Sequence, residues 1–450
     1  MATTIVALAT PLGRSGIGII RLSGEDSLPI TRKLIRNESF DPKPRYAHLK
    51  KIRDFETGSD VIDEVLITYF QSPQSFTGED VIEISCHGSP VILRQIIDFC
   101  LKLNARMAEA GEFSLRALAN GRMNLSQAEA IRDLIDAQTI YAARQSVRQL
   151  RGEFSNQLQP VKDDLLSVIV VLESALEFVE DDLPDFQIEN IKNNLISVAE
   201  KIGEFASTFQ AGKLIREGLK VALVGRPNVG KSSIFNALLG QERAIVTEIA
   251  GTTRDQIHEK FTINNIPISL IDTAGLRQTS DTVEKIGVER SKLLMADADL
   301  VVVLLDGSQK LTGEDREILS EVEDLNHLIA INKHDLKQCE ISLNGNSKIL
   351  KTSAKTGEGL NDLQKAIVAP FMPQDIENSG FLVSDARHND LLLRAKSEIE
   401  AAILLLDQKM SEEIILIGLH NSLRYLGQIT GETSTEDMLT QIFSTFCIGK

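Results

Sequence analysis

Cysteine is scarce in this 450-residue chain: Cys86, Cys100, Cys339 and Cys447 stand far apart, with no CxxC pair and no His-rich cluster beside them. That spacing offers neither a zinc site nor a disulfide framework, and it fits a reducing cytoplasm. Positive charge is also short. The 48 Lys and Arg face 64 Asp and Glu, and the resulting −16 repels polyphosphate unless local basic patches or a partner overcome it. A general nucleic-acid coat protein is therefore disfavoured. No uninterrupted apolar run reaches the length of about 18 residues that spans a bilayer, and the Met-Ala-Thr-Thr-Ile-Val start has no basic segment leading into a long apolar one. Neither secretion nor membrane spanning is expected. The closing Cys447-Ile448-Gly449-Lys450 imitates a prenylation box, but Lys is a poor final residue there and no polybasic segment precedes it. Internal repeats and low-complexity tracts are missing as well.

Hydrophobic residues make up 42% and charged residues 25% of the chain, the balance of a folding globular protein. At roughly 100 to 200 residues per domain, the length predicts two to four domains. Strand-like runs at Ile5 to Ala9, Ile17 to Leu22, Val65 to Phe70 and Val81 to Ile84, with a periodic helix from Val91 to Leu103, describe a small α+β domain over residues 1–118. From 119 to 216 the apolar residues recur at helical spacing, as in Leu165, Val168, Ile169, Leu172, Ala175, Leu176 and Val179, with an acidic break at Glu180 to Asp185. Helical character returns within 375–450, at Asp390 to Leu406 and Glu412 to Leu426. Residues 217–374 lie between these regions and carry a motif set of their own, so they are expected to be a domain inserted into a helical one. Two independent helical regions would give the same pattern.

The apolar strand Leu219 to Val224 leads into Gly225-Arg226-Pro227-Asn228-Val229-Gly230-Lys231-Ser232-Ser233 and then a helical run to Leu239. This is GxxxxGK[ST] in its strand-loop-helix setting. The glycines let backbone N–H groups close around phosphate oxygens, Lys231 neutralises the β and γ phosphates, and the Ser232 hydroxyl ligates Mg²⁺. Three further elements follow in the order that resembles GTPases of the translation-factor type. Asp272-Thr273-Ala274-Gly275 ends the strand Ile268 to Ile271, where Asp272 holds Mg²⁺ through water and the Gly275 amide senses the γ-phosphate. Asn332-Lys333-His334-Asp335 ends the strand Leu328 to Ile331. The Asp335 carboxylate accepts from the guanine N1–H and 2-amino groups, a pair of donors that adenine lacks. Ser353-Ala354-Lys355 completes the base pocket. Thr247-Glu248-Ile249-Ala250-Gly251-Thr252-Thr253-Arg254-Asp255 stands where switch I belongs, which makes Thr253 the second Mg²⁺ ligand; a Thr-rich loop that merely caps a helix is the alternative. The segment from about Lys220 to Ala369 thus reads as a domain that binds and hydrolyses GTP.

Ras-like enzymes orient the attacking water with a glutamine directly after the Asp-x-x-Gly motif, a position held here by Leu276, whose side chain cannot do so. Glu284 in the following segment can orient water through a bridge, or it is simply a solvated acid. No in-chain arginine finger is identifiable, so the charge that builds on the phosphates needs another cation. Asn228 with the Thr247 and Ile249 carbonyls and Thr252 offers oxygens for K⁺. Arg144, Arg148 and Arg151 recur at spacings that share a helical face and suit tRNA phosphates, although solvated charge explains them too.

Four features resemble the bacterial and organellar MnmE (TrmE) family of tRNA-modification GTPases over essentially the whole chain. They are Ala9-Thr10-Pro11-Leu12-Gly13-Arg14-Ser15-Gly16-Ile17-Gly18 through Gly24, Phe76-Thr77-Gly78-Glu79-Asp80-Val81-Ile82-Glu83 with Cys86-His87-Gly88, Gly111-Glu112-Phe113-Ser114 through Ile131, and the Cys447 to Lys450 tail. The resemblance implies a multidomain fold: an α+β folate-binding-like N-terminal domain that also dimerises, a discontinuous all-α helical domain, and an inserted Ras-like α/β P-loop GTPase domain. It implies a folate site lined by Arg21, Glu83, Arg122 and Lys450, which receives 5-formyl- or 5,10-methylene-tetrahydrofolate. It implies a homodimer that acts on tRNA with the flavoprotein MnmG (GidA), FAD being the partner's, to add a carboxymethylaminomethyl or aminomethyl group to C5 of the wobble uridine. K⁺-stimulated hydrolysis, with Glu284 as its catalytic residue, is part of the same pattern. Cys447 is a nucleophilic thiol or, the preferred reading, a small buried residue ahead of Lys450. A GTPase assembly factor of the ribosome type, with no tRNA chemistry, is the competing function, because the same nucleotide motifs serve both.

Overall fold

The computed structural model describes residues 3–54, 60–177, 185–241, 258–272, 295, 297–339, 341, 349–371, 380–432 and 436–449. The chain divides into two compact units, one of residues 1–135, 146–198 and 397–450, the other of residues 136–145 and 199–396.

The first unit contains a six-stranded sheet built from β1 (Ile5–Leu8), β2 (Ser15–Ser23), β3 (Ala47–Arg53), β4 (Val61–Phe70), β5 (Val81–Gly88) and β6 (Arg106–Met107), in the order β3-β4-β5-β2-β1-β6. Only β1 and β6 run parallel; the other neighbours are antiparallel. One face buries Ile20, Leu22, Ile67, Ile82 and Ile84 with Ile30 and Leu34 of the helix Ser27–Leu34 and Leu93, Ile96 and Phe99 of the helix Pro90–Lys102. Successive residues of a strand point to opposite faces, so the other face receives the intervening polar side chains. Thr68, Glu83 and Arg21 therefore form one cross-strand row on β4, β5 and β2.

The sequence pattern located four of these strands and the second helix. It missed β3, whose Ala-His-Leu-Lys-Lys-Ile-Arg carries too few apolar residues to signal a strand, and the short helices Ser27–Leu34 and Glu112–Ala119. In the same unit the helix Glu153–Glu177 turns Leu158, Leu165, Val168, Ile169 and Leu172 inward, and the helix Glu412–Thr430, which packs on it, contributes Ile415, Leu419, Leu426 and Ile429. The buried Lys162 ammonium binds the Glu432 carboxylate between them. Helices from before and after the nucleotide-binding segment thus form one body, which makes that segment an insertion. The helix Ile140–Leu150 carries Arg144 and Arg148, and Arg151 follows directly at its end with its amide still donating to the Val147 carbonyl at 2.9 Å. Among the described residues, no helix is long and apolar enough to cross a membrane.

The second unit holds another six-stranded sheet, from β7 (Leu219–Val224), β8 (His258–Ile263), β9 (Ile266–Asp272), β10 (Leu300–Asp306), β11 (His327–Asn332) and β12 (Ile349–Lys351), in the order β12-β11-β10-β7-β9-β8. All neighbours are parallel except the edge pair of β8 and β9. Parallel strands covered on both faces read as unbroken apolar runs, and every residue of β10, Leu-Val-Val-Val-Leu-Leu-Asp, is buried. Val221, Leu223, Val302 and Leu304 enter one core, and Val224, Val301, Val303 and Leu305 the other. The chains entering and leaving this sheet are fastened together: Arg216 Nη1 lies 2.8 Å from Asp385 Oδ2, and the Val383 amide donates to Thr208 Oγ1 at 3.0 Å. Burial alone pushes the Asp385 carboxyl up, but His388, Arg216 and the Arg387 amide outweigh it and hold it well below the usual carboxylate range.

Candidate functional site

The order β10-β7-β9 sends the chain to opposite sides of β7, and open α/β sheets bind ligands in the crevice at such a reversal, beyond the carboxyl ends of the strands. The motif residues that follow β7, β11 and β12 gather at that edge, and Asp272 ends β9, paired in register with Leu223.

The loop after β7 needs unusual backbone. Asn228 is left-handed at φ 63°, and Gly230 has φ 99°. A Cβ on Gly230 would stand 2.2 Å from Asn332 Nδ2, so the site excludes any larger residue. The loop then enters the helix Lys231–Gln241, whose first turn exposes Ser232 and Ser233. Val229 is fully buried, and Asn228 is exposed on the loop. Lys231 is buried, and its ammonium donates to the Gly225 and Arg226 carbonyls at 2.6 and 2.9 Å, arching back over the loop.

Asn332 ties the two halves of the site together. Its Nδ2 donates to the Val229 carbonyl at 2.9 Å, and its Oδ1 accepts from the Ala354 amide at 3.2 Å. Ser353 Oγ donates to Asp335 Oδ1 at 2.7 Å and accepts from the Thr356 amide at 3.2 Å. That hydrogen bond, followed by Lys355 and His334 nearby, holds the Asp335 carboxyl below the usual range, although desolvation opposes it; Asp335 is therefore ready to accept from a cationic or N–H-rich edge. Lys355 is exposed at the turn. Lys333 adopts φ 64° and reaches back to Asp306, Nζ to Oδ2 at 2.7 Å.

Asp306 was not among the residues expected here. It ends the apolar run of β10 just as Asp272 ends β9, and that parallel was the available signal. It also accepts from the Ser308 amide and hydroxyl at 3.0 and 2.6 Å. Burial pushes its carboxyl up, but these bonds and Lys333 prevail and lower it. Thr247, Glu248, Ile249, Ala250, Gly251, Thr252, Thr253, Thr273, Ala274, Gly275 and Glu284 lie outside the described residues, as does the side chain of Asp272. Of the residues expected to supply oxygens around Mg²⁺ and K⁺, Ser232 and Asn228 are described, and both are exposed at the phosphate loop.

A second cluster forms on the other face of the first sheet, beside the small core of Ala7, Ala108 and Phe113. Arg21 donates from Nε and Nη2 to Glu83 Oε1 at 2.9 and 2.7 Å, and its guanidinium lies 5.7 Å from the ring centres of both Phe76 and Phe113. Its Nη1 donates to the Gly449 carbonyl at 3.2 Å, across 428 positions of sequence. The tail is led there by the helix Glu436–Ser444 and by Phe443 and Phe446, which pack with Leu125 and Ala128. Arg132 steadies it, with its guanidinium 5.7 Å from the Phe446 ring and Nη1 donating to Thr445 Oγ1 at 2.9 Å. Ile448 bridges Ala110, and Gly449 turns at φ 95° against the Leu8 carbonyl, where a Cβ would approach to 2.4 Å.

The expectation that Cys447 is buried is overturned: it is exposed, because Phe446 takes the inward position and Cys447 points the other way. Arg122 is exposed, and its stem covers Gly78 in the loop that also supplies Phe76. Lys450 lies outside the described residues. Arg21, Glu83 and the Arg122 loop thus share a neighbourhood in which a partly exposed carboxylate and guanidinium stand beside the partly buried Phe76, with Phe113 buried beneath them. Such a set matches a flat heterocycle with an amidine-like edge.

Residues 4–122 match the family described as GTP-binding protein TrmE N-terminus, and residues 125–447 match the MnmE helical domain. The tRNA modification GTPase MnmE of Aquifex aeolicus is 44% identical, with 100% of each chain covered. The protein of the same name from Clostridioides difficile is 42% identical, with 99% of each covered. Among solved structures, the G domain of the T. maritima FeoB iron transporter is 33% identical over 34% of this chain and 97% of its own, at a TM-score of 0.25.

Proposed function

The chain belongs to the MnmE (TrmE) family of tRNA-modification GTPases, and from that premise we propose that it hydrolyses GTP in the service of a chemical change on tRNA. Asn332 and Asp335 select guanine, the phosphate loop and Lys231 hold the phosphates, and Ser232 with Thr253 would hold Mg²⁺, which neutralises charge on the β and γ oxygens. Asn228, Thr247, Ile249 and Thr252 would hold K⁺ beside the phosphates in place of an arginine finger, and Glu284 would orient water in place of the glutamine that Leu276 replaces. The rationale is electrostatic: charge building on the phosphates in a partly enclosed site demands a fixed cation.

On the first unit, Arg21, Glu83, Arg122 and Lys450 would receive a tetrahydrofolate one-carbon carrier, the carboxylate against the pterin edge and the cations toward the glutamate tail. A homodimer working with the flavoprotein MnmG would then pass the carbon to C5 of the wobble uridine. The observation that carries this reading is the docking of the tail: the Gly449 carbonyl sits on Arg21, the partner of Glu83, two residues after the exposed Cys447. A ribosome-assembly GTPase has no use for that arrangement.

Mass spectrometry of tRNA nucleosides from cells carrying Asp272→Ala tests the whole scheme. Loss of the modified wobble uridine is expected, and an unchanged nucleoside profile would reject it. Turnover compared in K⁺ and Na⁺ at equal ionic strength tests the cation separately, and equal rates would remove it. Retention of radiolabelled formyl-tetrahydrofolate by wild type but not by Arg21→Ala tests the second site.

A further inference from the structure

The second residue of the phosphate loop, Arg226, does not point toward the crevice. Its side chain, 15% exposed, runs to the helix Gly313–Glu321, with Nε 3.2 Å from Asp315 Oδ2. Its Nη2 donates to Gln309 Oε1 at 2.9 Å. Asp315 is 2% exposed and occupies the third position of that helix, where the same Oδ2 accepts from the Thr312 amide and hydroxyl, each at 2.9 Å. Thr312 returns the contact through the Asp315 amide, so the helix start is rigidly capped. Asp315 Oδ1 is buried without a hydrogen-bond partner among the described residues. Its hydrogen bonds therefore run through Oδ2 to Thr312, and the Arg226 Nε beside that oxygen, itself buried without a hydrogen-bond partner among the described residues, meets it as an ionic contact.

The backbone of Arg226 is itself part of the phosphate machinery, because its carbonyl accepts from Lys231 Nζ at 2.9 Å. Gln309 and Asp315 follow β10, whose last residue, Asp306, grips Lys333. The connection after β10 is pinned to the base-recognition loop, with the Gly307 amide donating to the Asn332 carbonyl at 2.9 Å and the Cys339 amide to the Gly307 carbonyl at 2.8 Å.

We propose that Asp315 is a positioning residue for the phosphate loop, acting through Arg226. The 306–315 connection then braces the phosphate-binding and base-binding halves of the nucleotide site against each other. A loop with φ 63° at Asn228 and φ 99° at Gly230 is costly to hold open, and a buried charge pair on its second residue keeps it in the binding shape before nucleotide arrives. Asp315 touches no nucleotide, so its removal weakens ground-state and transition-state binding alike: KM rises and kcat stays. This inference rests on the chain binding guanine nucleotide at the phosphate loop.

The test uses the full chain, a fluorescent GDP analogue and steady-state GTP hydrolysis. Asp315→Asn and Arg226→Ala are each expected to raise the dissociation constant and KM about tenfold, and in Asp315→Asn, which lies outside the phosphate loop, kcat stays within about twofold of wild type. The double variant is expected to be no worse than the poorer single one, since both remove one interaction. Thr312→Ala is the control for the helix cap: it lowers thermal stability without moving nucleotide affinity. Additive losses in the double variant, or an equal loss of affinity in Thr312→Ala, would show the pair to be ordinary structure and overturn the proposal. A wild-type chain that fails to bind the analogue would instead overturn the nucleotide assignment itself.

Discussion

Removing the charge of Asp306 while keeping its shape isolates what the carboxylate does for base binding. In Asp306→Asn the Ser308 amide can still donate to the side-chain oxygen, but the ionic bond to Lys333, 2.7 Å in the native chain, is lost. A hydrogen bond to a charged partner contributes about 1.5–3 kcal/mol when well shielded. The Asp306 side chain is 2% exposed but that of Lys333 is 31% exposed, so water recovers part of the loss. The expected net cost is therefore about 1–2 kcal/mol, or roughly 5- to 30-fold in affinity. It should appear as weaker GDP binding, because Lys333, which directly follows Asn332 in the expected base-binding loop, is no longer held to β10. Asp306→Ala should bind GDP more weakly still, since it also strands the Ser308 amide.

The pH dependence follows from the direction of the Asp306 shift. Its folded carboxyl is lowered, so its contribution to stability is complete above the unfolded value of about 4 and is lost only as pH falls through the folded one. The affinity ratio of wild type to Asp306→Asn should accordingly be flat between pH 6 and pH 8, within the range where about all carboxylates are ionised. Titration with a fluorescent GDP analogue at both pH values measures it. An Asn variant within twofold of wild type, or a ratio that changes across that range, refutes the reasoning.

Three further outcomes are expected. Asp335→Asn should lose GDP affinity by about 100-fold or more and gain affinity for xanthosine diphosphate, whose 2-oxo group accepts from the new amide; competition binding measures both, and retained guanine preference would contradict the assignment. Gly449→Ala places a Cβ 2.4 Å from the Leu8 carbonyl at φ 95°, so it should lift the tail and weaken formyl-tetrahydrofolate binding as Arg21→Ala does, with GTP hydrolysis unaltered; wild-type folate affinity in both variants would disconnect the tail from the site. Iodoacetamide at pH 8 should label the exposed Cys447 first and spare Cys86 and Cys100, whose thiols burial pushes up to about 12; peptide mapping that finds Cys86 alkylated in the native protein would oppose this.

What the sequence by itself determined is the chemistry that is local along the chain. The run from Leu219 to Ser233 contains its strand, its left-handed turn and its helix start within a few residues, so pattern and spacing suffice to read it. The same holds for Asp272 and Asn332, each at the end of an apolar strand whose direction follows from its neighbours. The tertiary structure decided what depends on contacts between distant segments. Pairing of Arg21 with Glu83 and Gly449, exposure of Cys447, and the joining of Glu153–Glu177 to Glu412–Thr430 all span tens to hundreds of residues. Nothing in local composition marks Asp315 apart from other acids of a chain with 64 of them, and Asp306 is marked only by its place at the end of the apolar run of β10. Their roles arise because parallel strands, which cannot be joined by tight turns, bring the ends of β7, β10 and β11 to one edge and bury these two carboxylates beside the only charges that can compensate them there, Lys333 and Arg226 among the described residues.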